Sequence, residues 1–241
     1  MAAEKHLVLV SQPAFMQMTL ATIAAFDVPK QSPGRGRPAK GNETYGLLWG
    51  HRIQRAGGSI YAIEQATIDS HAQSFSNGIL PSGRYREKIA EVIHSFWPTA
   101  HLIGEFHSHP YRSARHVPAV PGFSEQDREL VEEIETEAFD RAGMRVFLVT
   151  SIQALKKRSW VRHAVTADNQ LAWSMGRYKL TLTAYVAIKR SSSRKARLHL
   201  LPRHTEWPNY RQANSRKRSL VTLAVPSVDG LEDFSGFVAM S

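Results

Sequence analysis

The chain has 241 residues, no cysteine and a formal net charge of +10, with a pI near 10.0. That length is enough to bury a real hydrophobic core in one large domain or one domain with an extension, and the lack of cysteine excludes disulfides, thiolate metal sites and cysteine nucleophiles. Any metal must be held by His, Asp or Glu, and the basic charge allows an acidic partner, either nucleic acid or an acidic protein face.

Taken in chain order, "HLVLVS" reads as a short buried strand. Ser11 followed by Pro13 then predicts a helix with Phe15, Met16, Leu20, Ile23 and Ala24 on one face. The stretch Lys30–Gly41, "KQSPGRGRPAKG", is basic and rich in Gly and Pro and reads as a loop. "ETYGLLWGHRI" and "SIYAIEQATI", joined through "QRAGG", predict an antiparallel hairpin that begins at Glu43. A second helix is expected from about Arg84 to Trp97, with Ile89, Val92, Ile93 and Phe96 inward and Pro98 as its stop. "AHLIGEFHSH" reads as a strand, and a third helix follows from Ser124 to about Arg141, with Leu130, Val131, Ile134 and Ala138 as its apolar face. "MRVFLVTS", "SWVRHAV" and "YKLTLTAYVAIK" are further strands, with shorter ones at "ARLHLLP" and "SLVTLAV". The expected fold class is α+β, a mixed sheet with helices against it.

The stretch "GEFHSHPYRSARHVPAVPGFSEQD" concentrates the chemistry. On a strand, His107 and His109 project from one face, so their imidazoles can converge on one ion. The bland alternative is a pair of hydrogen-bonded histidines. Ser124 and Asp127 likewise carry two readings. Ser-x-x-Asp ahead of a helical run is a capping box, which needs the Ser124 oxygen on the Asp127 amide. A metal site instead needs the Asp127 carboxylate turned toward the histidines. A catalytic zinc requires three protein ligands and an open position, and His107, His109 and Asp127 would supply them. A carboxylate must still move the water's proton, with Glu43, Glu64 and Glu105 as candidates. Glu105 also shares a face with both histidines, so E-x-H-x-H could form a two-histidine, one-carboxylate iron site, though this leaves Ser124 and Asp127 unused.

Glu43 ahead of "YGLLWG", then "HSHP", then "SEQD" resembles the JAMM (MPN-domain) zinc metalloproteases in their prokaryotic, deubiquitinase-like form. The resemblance spans roughly residues 5 to 175 and includes "LAWSMGR". It implies a JAMM/MPN-like mixed sheet flanked by helices, with zinc on His107, His109 and Asp127. It further implies that Glu43 is general base and then acid, and that Ser124 stabilises the oxyanion. The implied activity is isopeptidase or peptidase cleavage after the C-terminal tail of a ubiquitin-like protein. Removal from conjugates and precursor processing both fit, in the setting of a bacterial ubiquitin-like conjugation system with an antiviral role. One departure is that 17 residues separate His109 from Asp127, longer than the family's usual spacing, an insertion that loop entropy tolerates. The insert, residues 110–123, carries His116, which could reach the metal instead.

The domain boundary is expected at 188, with a metalloprotease domain over 1–188 and a basic, β-containing extension over 189–241. Between Lys189 and Arg218 ten Lys or Arg stand against the single acid Glu206. With Trp207 and Tyr210 nearby, that segment suggests an acidic partner and an alternative function as a nucleic-acid-associated protein; the bland reading is a solvated basic linker. The tail "DGLEDFSGFVAM" is apolar and mildly acidic. His51, His71, His94, His101 and His163 read as surface or satisfied groups, and Trp49, Trp97 and Trp173 as packing. The N-terminus lacks the pattern of a signal peptide and no apolar run approaches a membrane span, so a cytoplasmic protein without a membrane partner is expected.

Overall fold

The computed structural model describes residues 5–28, 41–75, 78–111, 113–118, 121–133, 144–189, 198–201 and 221–225. Apart from Gly41, the loop Lys30–Gly41 lies outside these residues. So do Ile134 and Ala138 of the third helix, most of the basic segment with Trp207 and Tyr210, and the acidic tail.

The first strand, β1 (Lys5–Val10), pairs in parallel on both sides, which is why "HLVLV" is a continuous apolar run rather than an alternating one. Helix α1 (Gln12–Asp27) starts where Ser11 Oγ accepts the Ala14 amide at 3.3 Å, with Pro13 in the first turn. Its buried row is Ala14, Met18 and Thr22 with Thr19, backed by Phe15, Ile23 and Phe26. Met16 and Leu20 of the expected face point outward, at 58% and 54% exposure. Small residues at 14 and 22 let the helix lie close on the sheet, and this close approach outweighs the larger apolar side chains.

β2 (Tyr45–Arg55) and β3 (Gly58–Ile68) form the expected hairpin, closed by Ala56–Gly57 with Gly57 at φ 115°, a conformation that favours glycine. β4 (Gln73–Phe75) and β5 (Gly78–Leu80) make a small two-stranded sheet that the sequence did not signal. Helix α2 (Gly83–Phe96) lays Tyr85, Ile89, Ala90 and Ile93 over Tyr45, Leu47 and Trp49, while Val92 and Phe96 stay exposed. Trp97, expected to pack, is also exposed, whereas Trp49 and Trp173 are buried.

β6 (His101–Tyr111) leads to α3 (Glu125–Glu133), where Val131 is buried and Leu130 is exposed. β7 (Met144–Ala167) and β8 (Gln170–Lys189) form one long hairpin that unites segments legible only as separate strands. Register shifts between Ala154 and Ser159, and again between Val161 and Ala164, preserve the pairing while breaking the alternation. β9 (Leu198–Leu201) pairs with β8, and β10 (Val221–Ala224) pairs in parallel with β1.

The strand order is β10-β1-β3-β2-β6-β7-β8-β9. At its ends the sheet curls until Leu223 N–H donates to Asp168 O at 2.7 Å, at the turn between β7 and β8. The expected α+β fold, a JAMM/MPN-like sheet flanked by helices, is thereby corrected. The described residues are 57% strand and 25% helix, and the seven strands from β10 round to β8 make a nearly closed, barrel-like sheet. The main core lies on the sheet's own inward face, with Val8, Leu48, Phe106, Leu148, Leu182 and Leu223 meeting one another. Long, bulged strands coil strongly enough to bury that face largely against itself, and helix α2 has no fully buried residue.

Candidate metal centre

The site is assembled where β2 and β6 run antiparallel. Tyr45 pairs with His107, and Thr44 and Ser108 clamp the next step: Thr44 N–H donates to Ser108 Oγ at 2.9 Å and Ser108 N–H to Thr44 O at 3.0 Å. Next to that clamp, Glu43 lines the same cleft as His109 and feels its charge. The serine between the two histidines thus faces the other way, is fully buried, and fixes the backbone that carries Glu43.

His107 Nε2 and His109 Nε2 lie 3.1 Å apart, with Asp127 Oδ1 3.2 Å from the first and Asp127 Oδ2 3.1 Å from the second. A tetrahedral zinc bonded at about 2.0–2.1 Å would separate neighbouring ligand atoms by about 3.3 Å, so the three spacings fit one ion. This buried group can hold a metal ion, and no second group of its kind occurs among the described residues. Burial alone would raise the Asp127 pKa, but hydrogen bonds from both imidazoles and their charge together hold it below the ordinary carboxylate range.

Ser124 and Asp127 satisfy both sequence readings at once. Asp127 N–H donates to Ser124 Oγ at 3.1 Å, as a cap requires. The Ser124 hydroxyl and amide in turn donate to Asp127 Oδ2 at 2.7 and 2.6 Å, while the same carboxylate faces the histidines. The cap is therefore what aims the third ligand.

Glu43 is 9% exposed, and burial pushes its pKa up to about 7; His109 opposes the shift and Asp127 adds to it. It lines the same cleft, of about 740 Å³, as His107, His109 and Asp127. The other two base candidates are elsewhere engaged. Glu64 pairs with His51 at 3.2 Å away from the cleft lining, and Glu105 accepts Arg145 Nη2 at 2.6 Å together with the Tyr45 hydroxyl. The E-x-H-x-H alternative is set aside on the same ground, because Glu105 is turned to Arg145 and is not part of the three-ligand group. His116 sits exposed in a short 3-10 helix, Ala114–His116, with its Nδ1 2.9 Å from Ser113 Oγ, and does not join the group.

Several residues at the site carry no motif. Phe123 stacks on Tyr185 at 4.3 Å between centroids and on His107 at 6.0 Å, and its N–H donates to Tyr185 Oη at 3.1 Å. Tyr111 stands edge-on to His109, and burial raises its phenol pKa. The adjacency of Phe123 to Ser124 and of Tyr111 to "HSHP" was the available signal. No protein-family model matches the chain, and no curated protein matches it either. Among the described residues, no helix is long and apolar enough to cross a membrane.

Proposed function

We propose that the chain is a zinc-dependent isopeptidase or peptidase that cleaves after the C-terminal tail of a ubiquitin-like protein. The observation that carries the hydrolase reading is geometric: the buried carboxyl of Glu43 lines the same cleft as the group His107, His109 and Asp127. Its support from sequence is the resemblance of Glu43, "HSHP" and "SEQD" to the JAMM zinc metalloproteases. Bound zinc would supply a water acidified to near neutrality and a Lewis acid for an amide carbonyl. Glu43 then does the proton work: its carboxylate takes the water's proton and, protonated, gives it to the departing amine. Ser124 holds Asp127 in place and carries a hydroxyl able to donate to the oxyanion once it exchanges partners.

The substrate class draws on the cleft wall. Gly78 and Ile79 of β5 line the cleft, and among the described residues β5 pairs with β4 alone, leaving an edge for an extended peptide to lie against. A glycine-rich tail suits such an approach because it brings no side chains into the cleft.

The test is elemental analysis of the wild type and a His107→Ala/His109→Ala variant, with cleavage of a ubiquitin-like fusion by wild type and Glu43→Ala. The expected result is about one zinc per chain, lost with the histidines, and cleavage lost in Glu43→Ala with zinc retained. A metal-free wild type would overturn the metalloenzyme reading, and zinc without cleavage of any fusion would overturn the substrate.

A further inference from the structure

The long β7–β8 hairpin carries a basic projection that the metal centre does not use. Ala154 pairs with Tyr178 and Ser159 with Gly176, so four residues of β7, Leu155 to Arg158, stand against Arg177 alone on β8. Such an excess on one strand kinks it and re-aims its side chains. Here it turns Lys156, Lys157 and Arg158 out to solvent in succession, where they make no hydrogen bond or ion pair with the described residues. Arg162, Arg177 and Lys179 flank them and are exposed too. Asp168, in the turn at the far end of the hairpin, is the one acid between residues 154 and 179. Two positions past the excess, Trp160 is 75% exposed and stacks on no described ring. Gly176, at φ 62°, lies against one side of the indole and places no side chain over it; a Cβ there would be 3.7 Å from the ring. None of these residues lines the cleft.

We propose that this projection, Lys156, Lys157 and Arg158 with Trp160, binds single-stranded nucleic acid, with phosphates on the cations and an unpaired base on the indole. Unopposed cations suit a chain of phosphates, and an open indole suits a strand whose bases are free to stack. A duplex keeps its bases stacked on one another, and an acidic protein face has no use for the ring. A bilayer fits less well, although Val161, Val165 and Met175 are also exposed on the hairpin. Insertion needs a free apolar end. The turn instead is polar and fastened: Ala184 N–H donates to Asn169 O at 2.9 Å, Asn169 Nδ2 to Ala184 O at 3.0 Å, and Leu223 N–H to Asp168 O at 2.7 Å. The site stands independently of the hydrolase reading and of the basic segment Lys189–Arg218.

Fluorescence anisotropy of a labelled oligothymidylate, titrated with the full chain over a range of salt, tests it. Binding should weaken steeply as salt rises. The triple variant Lys156→Gln/Lys157→Gln/Arg158→Gln should lower the slope of log affinity against log salt by about 2, since each lost phosphate contact removes about 0.7. Trp160→Ala should weaken binding about tenfold with the slope unchanged, and Trp160→Phe should retain most of the affinity. Far-UV circular dichroism confirms that the variants fold, and Arg216→Gln/Lys217→Gln/Arg218→Gln separates out the C-terminal cations. No binding up to about 100 μM at about 50 mM salt would overturn the proposal. So would binding that survives the triple variant in full and is abolished by the C-terminal one. Affinity indifferent to Trp160, or matched by a duplex of equal length, would refute the stacking. Equal displacement of the oligonucleotide by polyglutamate would assign the projection to an acidic protein face instead, and binding to phosphatidylserine vesicles without oligonucleotide binding would assign it to a membrane.

Discussion

Replacing Glu43 by Gln should damage catalysis and improve stability, and the second effect depends on pH. The Glu43 carboxyl has an ordinary pKa of 4.5 and is raised to about 7 in the folded chain, chiefly by burial. A raised pKa means that the fold tolerates the neutral acid and resists the carboxylate. The associated stability is therefore fully present below pH 4.5 and is lost as pH rises through about 7. With 1.36 kcal/mol per pKa unit, burying Glu43 costs the metal-free fold about 3 kcal/mol at pH 8, where the buried group is ionised, and about 1 kcal/mol at pH 5, where it must take up a proton on folding. Gln has the same shape and no charge to bury, so Glu43→Gln should stabilise the metal-stripped chain by roughly 2 kcal/mol more at pH 8 than at pH 5. Urea unfolding of both proteins at the two pH values measures this directly, since the difference between them cancels other titrating groups. A bound cation attracts the ionised form, so the gain should shrink when zinc is restored. In the same variant zinc content should be unchanged, and turnover should fall on the order of 10²–10⁴-fold. An equal stability change at both pH values would refute the buried, raised carboxyl, and near-normal turnover would refute its role as base.

Tyr185→Phe keeps the ring stacked on Phe123 but leaves the buried Phe123 N–H without its acceptor, so chemical denaturation should show a loss of about 1–3 kcal/mol. A Cβ at Gly122 would lie 2.1 Å from Tyr185 Oη, so Gly122→Ala must move either that hydroxyl, which holds the Phe123 amide, or the segment that carries Ser124 and Asp127. Zinc affinity, read by competition with a chelator, should drop about tenfold or more although no ligand is altered. Because removal of the hydroxyl opens that space, the double variant Gly122→Ala/Tyr185→Phe should be less impaired than the two single effects added, a coupling that a double-mutant cycle reads. Trimming the exposed 3-10 turn around His116 should leave zinc stoichiometry unchanged, because His116 pairs with Ser113 and not with the metal group; loss of zinc would refute that assignment.

The sequence by itself determined the parts whose signals are local. Ser11 and Pro13 mark the start of α1, and "QRAGG" marks the β2–β3 turn. The H-x-H spacing on an apolar strand puts two imidazoles on one side, since strand periodicity leaves no other choice. Even the contest over Ser124 and Asp127 was rightly posed, although the two readings turned out to be one arrangement. Tertiary structure decided what depends on distant segments meeting. The order in which strands pair, the return of β10 to β1, and the curl that carries Leu223 to Asp168 are long-range contacts with no local residue code, and they turned an expected α+β sheet into a barrel-like one. Bulges in β7 hid a single long strand behind a broken alternation. The choice among Glu43, Glu64 and Glu105 was likewise tertiary. All three sit on or beside strands, but the Thr44–Ser108 clamp fixes the backbone beside Glu43, which lines the cleft with His109, while Arg145 reaches across from β7 to occupy Glu105. A carboxylate's chemistry is set by what surrounds it, and that surrounding exists only once the sheet has closed.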